Sequence, residues 1–186
     1  MIYHFKKTII LFFLLLSIGF RANAQYLIGV GAHYDDSFRE WNLTTDDEAF
    51  EGSLKQRWQM QNNWLEWDLV WGDENGAVKQ KWNNDPNQWE LRLNGEIVTM
   101  KTHWNNDFNE WLISDGRHEL ILETRYTGQP DEWLVKKNNY GTFSVSMYYE
   151  NDARDWVVKD NLNDDISNAM RLAMAFTVVY QSSPKK

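Results

Sequence analysis

A tryptophan that recurs at a nearly constant interval is the feature that most constrains the fold of this chain. Six tryptophans, each preceded by an acidic or amide residue, are separated by 22 to 26 residues; they are Trp41, Trp67, Trp89, Trp111, Trp133 and Trp156. A second aromatic column stands seven to nine residues earlier, at Tyr34, Trp58, Trp82, Trp104, Tyr126 and Tyr149. A fixed period over six copies indicates one supersecondary unit that repeats along the chain.

Each repeat has the pattern of a β-hairpin. The dipeptides Asn75-Gly76, Asn94-Gly95 and Asp115-Gly116 lie between the two columns and suit two-residue type I′ turns. Around Asn94-Gly95 the flanking residues alternate with period two, which gathers apolar side chains on one face and charged side chains on the other. The chain therefore predicts an all-β antiparallel meander of about six hairpin repeats, forming a barrel-like sheet with its Trp-rich apolar face inward.

The connections between repeats decide where the second column lies. A four-residue loop at residues 84–87 would set Trp82 opposite Trp89, and the same spacing would set Trp104 opposite Trp111, so that both columns share the apolar face. Two interpretations of this face remain open. In one, the aromatic rings are core; in the other, some rings are exposed at a rim and stack on a flat ligand such as a sugar. The candidate ligand-binding residues of that rim are Trp82, Trp89, Trp104, Trp111 and Trp133.

The C-terminal part of the repeat region is ambiguous. Alternate apolar residues from Leu172 to Tyr180 fit a strand, whereas residues 164–175 are rich in helix formers and begin with acids. We predict a short helix from about Asp164 followed by a strand to Tyr180, which gives thirteen strands. A wholly helical segment would leave twelve, and an even number can close into an antiparallel barrel.

The first 24 residues predict a cleavable export signal. Lys6 and Lys7 precede an apolar run, and Ala22-Asn23-Ala24 is a small-x-small cleavage site. The expected organisation is a signal peptide over residues 1–24, a single β-repeat domain over 25–181 and a frayed tail over 182–186. The expected location is the periplasm or the cell surface, with the outer membrane as the alternative.

Composition and motifs exclude several classes of site. The chain has no cysteine, which excludes disulfides and thiolate chemistry, and its formal net charge of −8 argues against a nucleic-acid partner. The histidines His33, His103 and His118 are too dispersed in the predicted sheet to share a metal, and no nucleophile or phosphate-loop motif occurs. We therefore predict no catalytic residue, no metal ligand and no cofactor.

The pattern Asn106-Asp107-Phe108-Asn109-Glu110-Trp111, repeated behind an Ala-Asn-Ala-Gln junction, resembles exported proteins of Bacteroidota-type bacteria, and this resemblance implies no activity. The expected function is that of an exported non-enzymatic structural or ligand-binding module of the bacterial envelope, with a small ligand or glycan as the possible partner. One alternative is a small outer-membrane β-barrel, whose apolar face would contact lipid. The other is a carbohydrate-binding protein that uses rim tryptophans.

Overall fold

The computed structural model describes residues 26–185, and the predicted signal peptide lies outside the described residues. Twelve antiparallel strands form a closed barrel in which each strand pairs with its neighbours in sequence and β1 pairs with β12. The strands are β1 Leu27–Tyr34, β2 Ser37–Thr45, β3 Gly52–Trp58, β4 Asn63–Trp71, β5 Glu74–Gln80, β6 Gln88–Leu93, β7 Glu96–Thr102, β8 Glu110–Ser114, β9 Glu119–Tyr126, β10 Gln129–Val135, β11 Gly141–Tyr149 and β12 Asp152–Leu162. A 3-10 turn, Gln59–Gln61, follows β3, and one α-helix, α1 Asn168–Ser182, follows β12.

The predicted meander and the inward direction of its apolar face are confirmed. Every strand contributes buried apolar side chains to the interior, and the six tryptophans of the first column are 1% or 2% exposed. Charged side chains such as Lys55, Arg57, Glu66 and Asp68 occupy the outer face, where they pair across strands. The core therefore lies inside the barrel.

The C-terminal helix fills the barrel interior. Every residue of α1 from Ala169 to Val179 is buried, so the helix has no solvent-facing side. An eight-stranded barrel is filled by its own side chains, whereas twelve strands leave room for a helix, which is about 10–12 Å across with its side chains. Within residues 26–185 there is no helix with the length and apolarity needed to span a bilayer.

The prediction of a helix from Asp164 followed by a thirteenth strand was wrong, and the wholly helical alternative is correct. The Ser167 hydroxyl caps α1 by accepting a hydrogen bond from the N–H of Met170. The alternation of apolar residues up to Tyr180 misled the strand prediction because a helix surrounded on all sides needs no polar face. The helix includes Ser182, the first residue of the expected tail.

Two of the three predicted turns differ from expectation. The turn at Asn94-Gly95 is confirmed: both residues have positive φ, and Trp89 pairs with Met100 as expected. The predicted turn at Asn75-Gly76 was wrong, because the chain reverses at Gly72-Asp73 and Gly76 lies inside β5. At Asp115-Gly116 the two-residue turn is replaced by a four-residue loop, in which Asp115 Oδ1 accepts hydrogen bonds from the N–H groups of Arg117 and His118.

Candidate aromatic rim

The six buried tryptophans share one hydrogen bond that fixes their indoles in the barrel wall. In each, Nε1 donates to the carbonyl oxygen of the residue three positions earlier, over 2.8–3.1 Å. A buried indole N–H needs such a partner. The carbonyls belong to Phe38, Trp64, Pro86, Phe108, Pro130 and Ala153. These six tryptophans are therefore core residues, and each indole N–H has a hydrogen-bond partner.

The second aromatic column stands outside the core because the strand register is two residues away from the predicted one. Trp89 lies opposite Gln80 and Trp111 opposite Thr102, so the expected pairs Trp82–Trp89 and Trp104–Trp111 were wrong. The same offset applies at the other repeats, where the cross-strand partners of Trp41, Trp67, Trp133 and Trp156 are Ala32, Gln56, Thr124 and Met147. An offset of two residues leaves each side chain on the inner or outer face to which it was assigned. It moves the aromatic residues of the second column to the ends of their strands, where the barrel wall no longer covers them.

Hydrogen bonds in the loops explain the offset. The carbonyl oxygens of Trp82 and Trp104 accept hydrogen bonds from the N–H groups of Asp85 and Asp107, so each tryptophan is the first residue of a turn rather than the last of a strand. Asn84 and Asn106 follow with φ of 66° and 61° in the left-handed region, which asparagine tolerates. The connecting loops therefore need more residues than the four expected.

The exposed aromatic residues form a ring at one end of the barrel, which we call the aromatic rim. They lie at or just beyond the ends of the six odd-numbered strands, which all run in the same direction, and between 44% and 63% of each residue is exposed: Tyr34, Trp58, Trp82, Trp104, Tyr126 and Tyr149. Neighbouring platforms are two strands apart, a separation of roughly 10 Å across the strands. The rim therefore offers six similar flat surfaces around one mouth.

The structure divides the five predicted site residues into two groups. Trp82 and Trp104, 59% and 63% exposed, lie on the rim. Trp89, Trp111 and Trp133 are 1% or 2% exposed, so they cannot present a ring face to a ligand, and their placement on a rim is corrected to the core. The division follows from the register, because Trp82 and Trp104 lie beyond the last residues of β5 and β7 that pair with the next strand.

A hydrogen-bond network between adjacent loops holds part of the rim in place. The side chain of Asn87 accepts hydrogen bonds from the Thr102 hydroxyl over 3.0 Å and from the N–H of Asn106 over 2.7 Å. Asp107 Oδ1 accepts from both the backbone and the side-chain nitrogen of Asn109, and these hydrogen bonds hold the pKa of Asp107 below its usual value. The loops that carry Trp82 and Trp104 are thereby joined to each other and to β7.

Charged and polar groups accompany the exposed rings. The ammonium of Lys81 lies 5.9 Å from the centre of the Trp82 ring, and the indole N–H of Trp58 donates to Glu66 over 3.1 Å. The ion pairs Arg57–Glu66 (3.2 Å) and Arg125–Glu132 (2.8 Å) join neighbouring strands beside the rim. Flat apolar faces beside hydrogen-bonding groups are the surfaces that polar ligands with apolar sides require.

The mouth enclosed by the rim is closed by the end of α1. Tyr180 lies between Trp67 and Trp89, with ring centroids 6.3 Å and 4.5 Å away, and burial raises the pKa of Tyr180 to about 12. The Ser182 hydroxyl lies 3.1 Å from Nε1 of Trp133 and donates to the carbonyl of Pro130. A ligand at this end therefore meets the rim and the helix terminus, not an open lumen.

Three polar residues below the rim were missed by the sequence interpretation. The side chains of Gln56, Gln80 and Ser183 each carry at least one buried polar atom with no hydrogen-bond partner among residues 26–185. The two glutamines occupy the inward position two residues before a rim aromatic, where other repeats have Ala32, Thr102, Thr124 or Met147. The signal available in the sequence was a long amide side chain at an inward-facing strand position.

The histidines lie at separate places in the barrel. His33 contacts Asn42, His103 packs edge-on against Trp104, and His118 Nδ1 lies 3.0 Å from Asp115 at the opposite end. In the part of the chain that the structure describes, no group of three or more histidine and carboxylate side chains could hold a metal ion.

Comparison of the chain with protein-family models, with curated proteins and with solved structures gave no match. The interpretation of the rim therefore rests on the residues of this chain alone.

Proposed function

We propose that the protein is an exported, non-enzymatic binding module of the bacterial envelope, and that its aromatic rim binds carbohydrate chains. The observation that carries this proposal is the ring of six aromatic residues, 44–63% exposed at equivalent positions on a single end of the barrel. Exposed aromatic rings in this number at one site are costly to leave in water without a partner. The proposal that the protein is exported rests on the sequence of residues 1–24, which has the pattern of a signal peptide.

A carbohydrate suits the rim for chemical reasons. The C–H face of a sugar ring is flat and apolar and stacks on an aromatic ring, while its hydroxyls bond to polar groups at the edge. The rim supplies rings with Lys81, Glu66 and loop asparagines beside them. Several similar platforms on one rigid barrel favour a chain of sugars over a single sugar, because each further contact is intramolecular once the first has formed.

The outer-membrane alternative receives less support. Outer-membrane barrels carry an apolar band toward lipid and polar residues toward the lumen. In this barrel the outer wall bears ion pairs such as Lys55–Glu40 and Lys136–Glu110, while the interior is occupied by apolar side chains and α1. We therefore favour a module that works in water.

The proposal is tested with residues 25–186 purified without detergent and applied to native gels containing soluble polysaccharides, with neutral glucans, xylan and mannan as probes. Retardation by at least one neutral polysaccharide is expected. The double variant Trp82→Ala/Trp104→Ala should lose most of this retardation, because each lost aromatic contact removes about 0.5–1.5 kcal/mol. The control is Ile97→Ala, which removes an exposed apolar side chain beside the hairpin tip at the opposite end.

Equal retardation of the double variant and the wild-type protein would overturn the assignment of binding to the rim. Migration of the wild-type protein unchanged in every polysaccharide would overturn the proposed function. Recovery of folded protein only in detergent would favour the outer-membrane alternative.

A further inference from the structure

The buried polar atoms that lack a partner are concentrated at the mouth beneath the aromatic rim. Among residues 26–185 they are Nε2 and Oε1 of Gln56, Oε1 of Gln80 and Oγ of Ser183. Gln56 is the most isolated, since it is 1% exposed and neither its donor nor its acceptor has a partner. Buried polar groups in folded proteins nearly always have a hydrogen-bond partner, because leaving one unpaired costs about 1–3 kcal/mol.

The two glutamines lie in one sector of the barrel. Gln56 on β3 is opposite Trp67, Gln80 on β5 is opposite Trp89, and both tryptophans contact the ring of Tyr180. Gln56 precedes the rim aromatic Trp58 by two residues, and Gln80 precedes Trp82 by two residues. The unpaired amide atoms thus lie on the strands that lead into two neighbouring platforms.

The other repeats do not offer this combination. Their equivalent positions are Ala32, Thr102, Thr124 and Met147, and the Thr102 hydroxyl already donates to Asn87. The six platforms are therefore similar in their aromatic rings but different in the polar groups below them. Among residues 26–185, buried side-chain amide atoms without a partner occur only in the sector of Trp58 and Trp82.

Two cations lie beside these platforms: the ammonium of Lys81 is 5.9 Å from the centre of the Trp82 ring, and the guanidinium of Arg57 is neutralised by its neighbours. The guanidinium of Arg57, beside Trp58, is paired with Asp68 at 2.5 Å and with Glu66 at 3.2 Å. It therefore has two carboxylates as partners and offers little attraction to an added anion. The acidic formal net charge of the chain also repels anionic polymers.

We infer that the sector of Trp58 and Trp82 is the anchoring subsite of the rim, in which Gln56 and Gln80 bind adjacent hydroxyls of a neutral sugar. This inference rests on the proposed function and specifies its ligand class. One hydroxyl accepts a hydrogen bond from Gln56 Nε2 and its neighbour donates to Gln56 Oε1, a pairing that a vicinal diol can make with a single carboxamide. Gln80 Oε1 accepts from a further hydroxyl. Because Gln56 is 1% exposed and the end of α1 closes the mouth, this contact requires Tyr180, which packs against Trp67 and Trp89, to move aside.

The test uses calorimetric titration of residues 25–186 with cellohexaose, laminarihexaose and mannohexaose. For the hexasaccharide that binds, Gln56→Leu should weaken affinity about tenfold, the equivalent of 1.4 kcal/mol. The matched control is Gln61→Leu, the same substitution at an exposed position just beyond Trp58, which should change affinity less than twofold. Thermal unfolding should place Gln56→Leu at or above the wild-type melting temperature, because the variant removes an unpaired buried amide.

A second pair of variants tests the role of this sector whether or not the Gln56→Leu variant folds. Trp82→Ala should weaken binding by a larger factor than Tyr126→Ala, which removes a platform of similar exposure on the far side of the mouth. Full affinity in a folded Gln56→Leu protein, or equal losses in Trp82→Ala and Tyr126→Ala, would overturn the anchoring subsite and leave the proposed function standing. Absence of binding by the wild-type protein to all polysaccharide and hexasaccharide probes would overturn both.

Discussion

The guanidinium of Arg171 on α1 lies 2.6 Å from the carboxylate of Asp160 on β12, and the two side chains are 5% and 1% exposed. The same guanidinium donates to the carbonyl oxygens of Ile166, Leu162 and Asn163, at the end of β12 and in the segment that leads into the helix. One buried cation therefore holds the connection through which the chain turns from the wall into the interior.

Replacing Arg171 should be among the most destabilising changes in the protein. We expect Arg171→Met to lower the free energy of unfolding by about 3–5 kcal/mol, because it leaves Asp160 buried without its counter-charge. Urea denaturation followed by circular dichroism measures the change. The control is Arg154→Met, which removes an ion pair of the same length to Asp152 in an exposed position and should be far less destabilising. Similar losses in the two variants would contradict the role assigned to the buried pair.

The two aromatic columns should respond differently to truncation. Trp111→Ala should lower the free energy of unfolding by about 3–5 kcal/mol, because it opens a cavity in the core and removes the indole bonded to Phe108. Trp104→Ala, on the rim of the adjoining loop, should cost less than about 1 kcal/mol. Chemical denaturation of both variants measures the difference. A large loss for Trp104→Ala would place this ring in the core and remove one of the proposed platforms.

Two glycines that both follow an asparagine should tolerate alanine to different degrees. At Gly95, with φ of +77°, a Cβ would meet nothing within 4 Å, so Gly95→Ala should cost only the backbone strain of about 1–2 kcal/mol. At Gly76, inside β5, a Cβ would lie 2.4 Å from the carbonyl oxygen of Arg92 and force β5 and β6 apart. We expect Gly76→Ala to be the more destabilising of the two in thermal unfolding. The reverse order would contradict the observed position of the turn at Gly72-Asp73.

Asp115 should make the stability of the protein sensitive to acid. Burial opposes its ionisation, but hydrogen bonds from the N–H and ring of His118 and from the N–H of Arg117 outweigh it, so the pKa of Asp115 lies below its ordinary value of 3.8. A depressed pKa in the folded state contributes stability that is present above the unfolded pKa and is lost as pH falls through the folded pKa.

Asp115→Asn keeps an oxygen acceptor and loses the charge. It should therefore be less stable than wild type at pH 7, with a difference that narrows below about pH 4 as the wild-type carboxylate becomes protonated. Urea denaturation at pH 7 and pH 3 measures the two differences. A difference that does not change between these values would show that the charge of Asp115 contributes nothing to folding.

The elements that could be predicted from the sequence are those whose signals are local. The period of the tryptophans predicted the hairpin repeats, the alternation of apolar residues predicted the inward face, and Asn94-Gly95 predicted its turn because both residues accept positive φ. These features depend on neighbouring residues and on the two-residue period of a strand, so they can be recognised without knowing what lies across the barrel.

The tertiary structure alone decided the register, the nature of the C-terminal segment and the division of the aromatic residues between core and rim. Registers that differ by two residues satisfy the same alternation, and the choice between them was made by loop hydrogen bonds such as that from Asp85 to Trp82. The segment Asn168–Ser182 lies inside the closed barrel, where every side is apolar, so it carries no amphipathic pattern to distinguish a helix from a strand. The sequence did not mark Gln56 for the same reason, because only the closed barrel buries its side chain and leaves its amide without a hydrogen-bond partner.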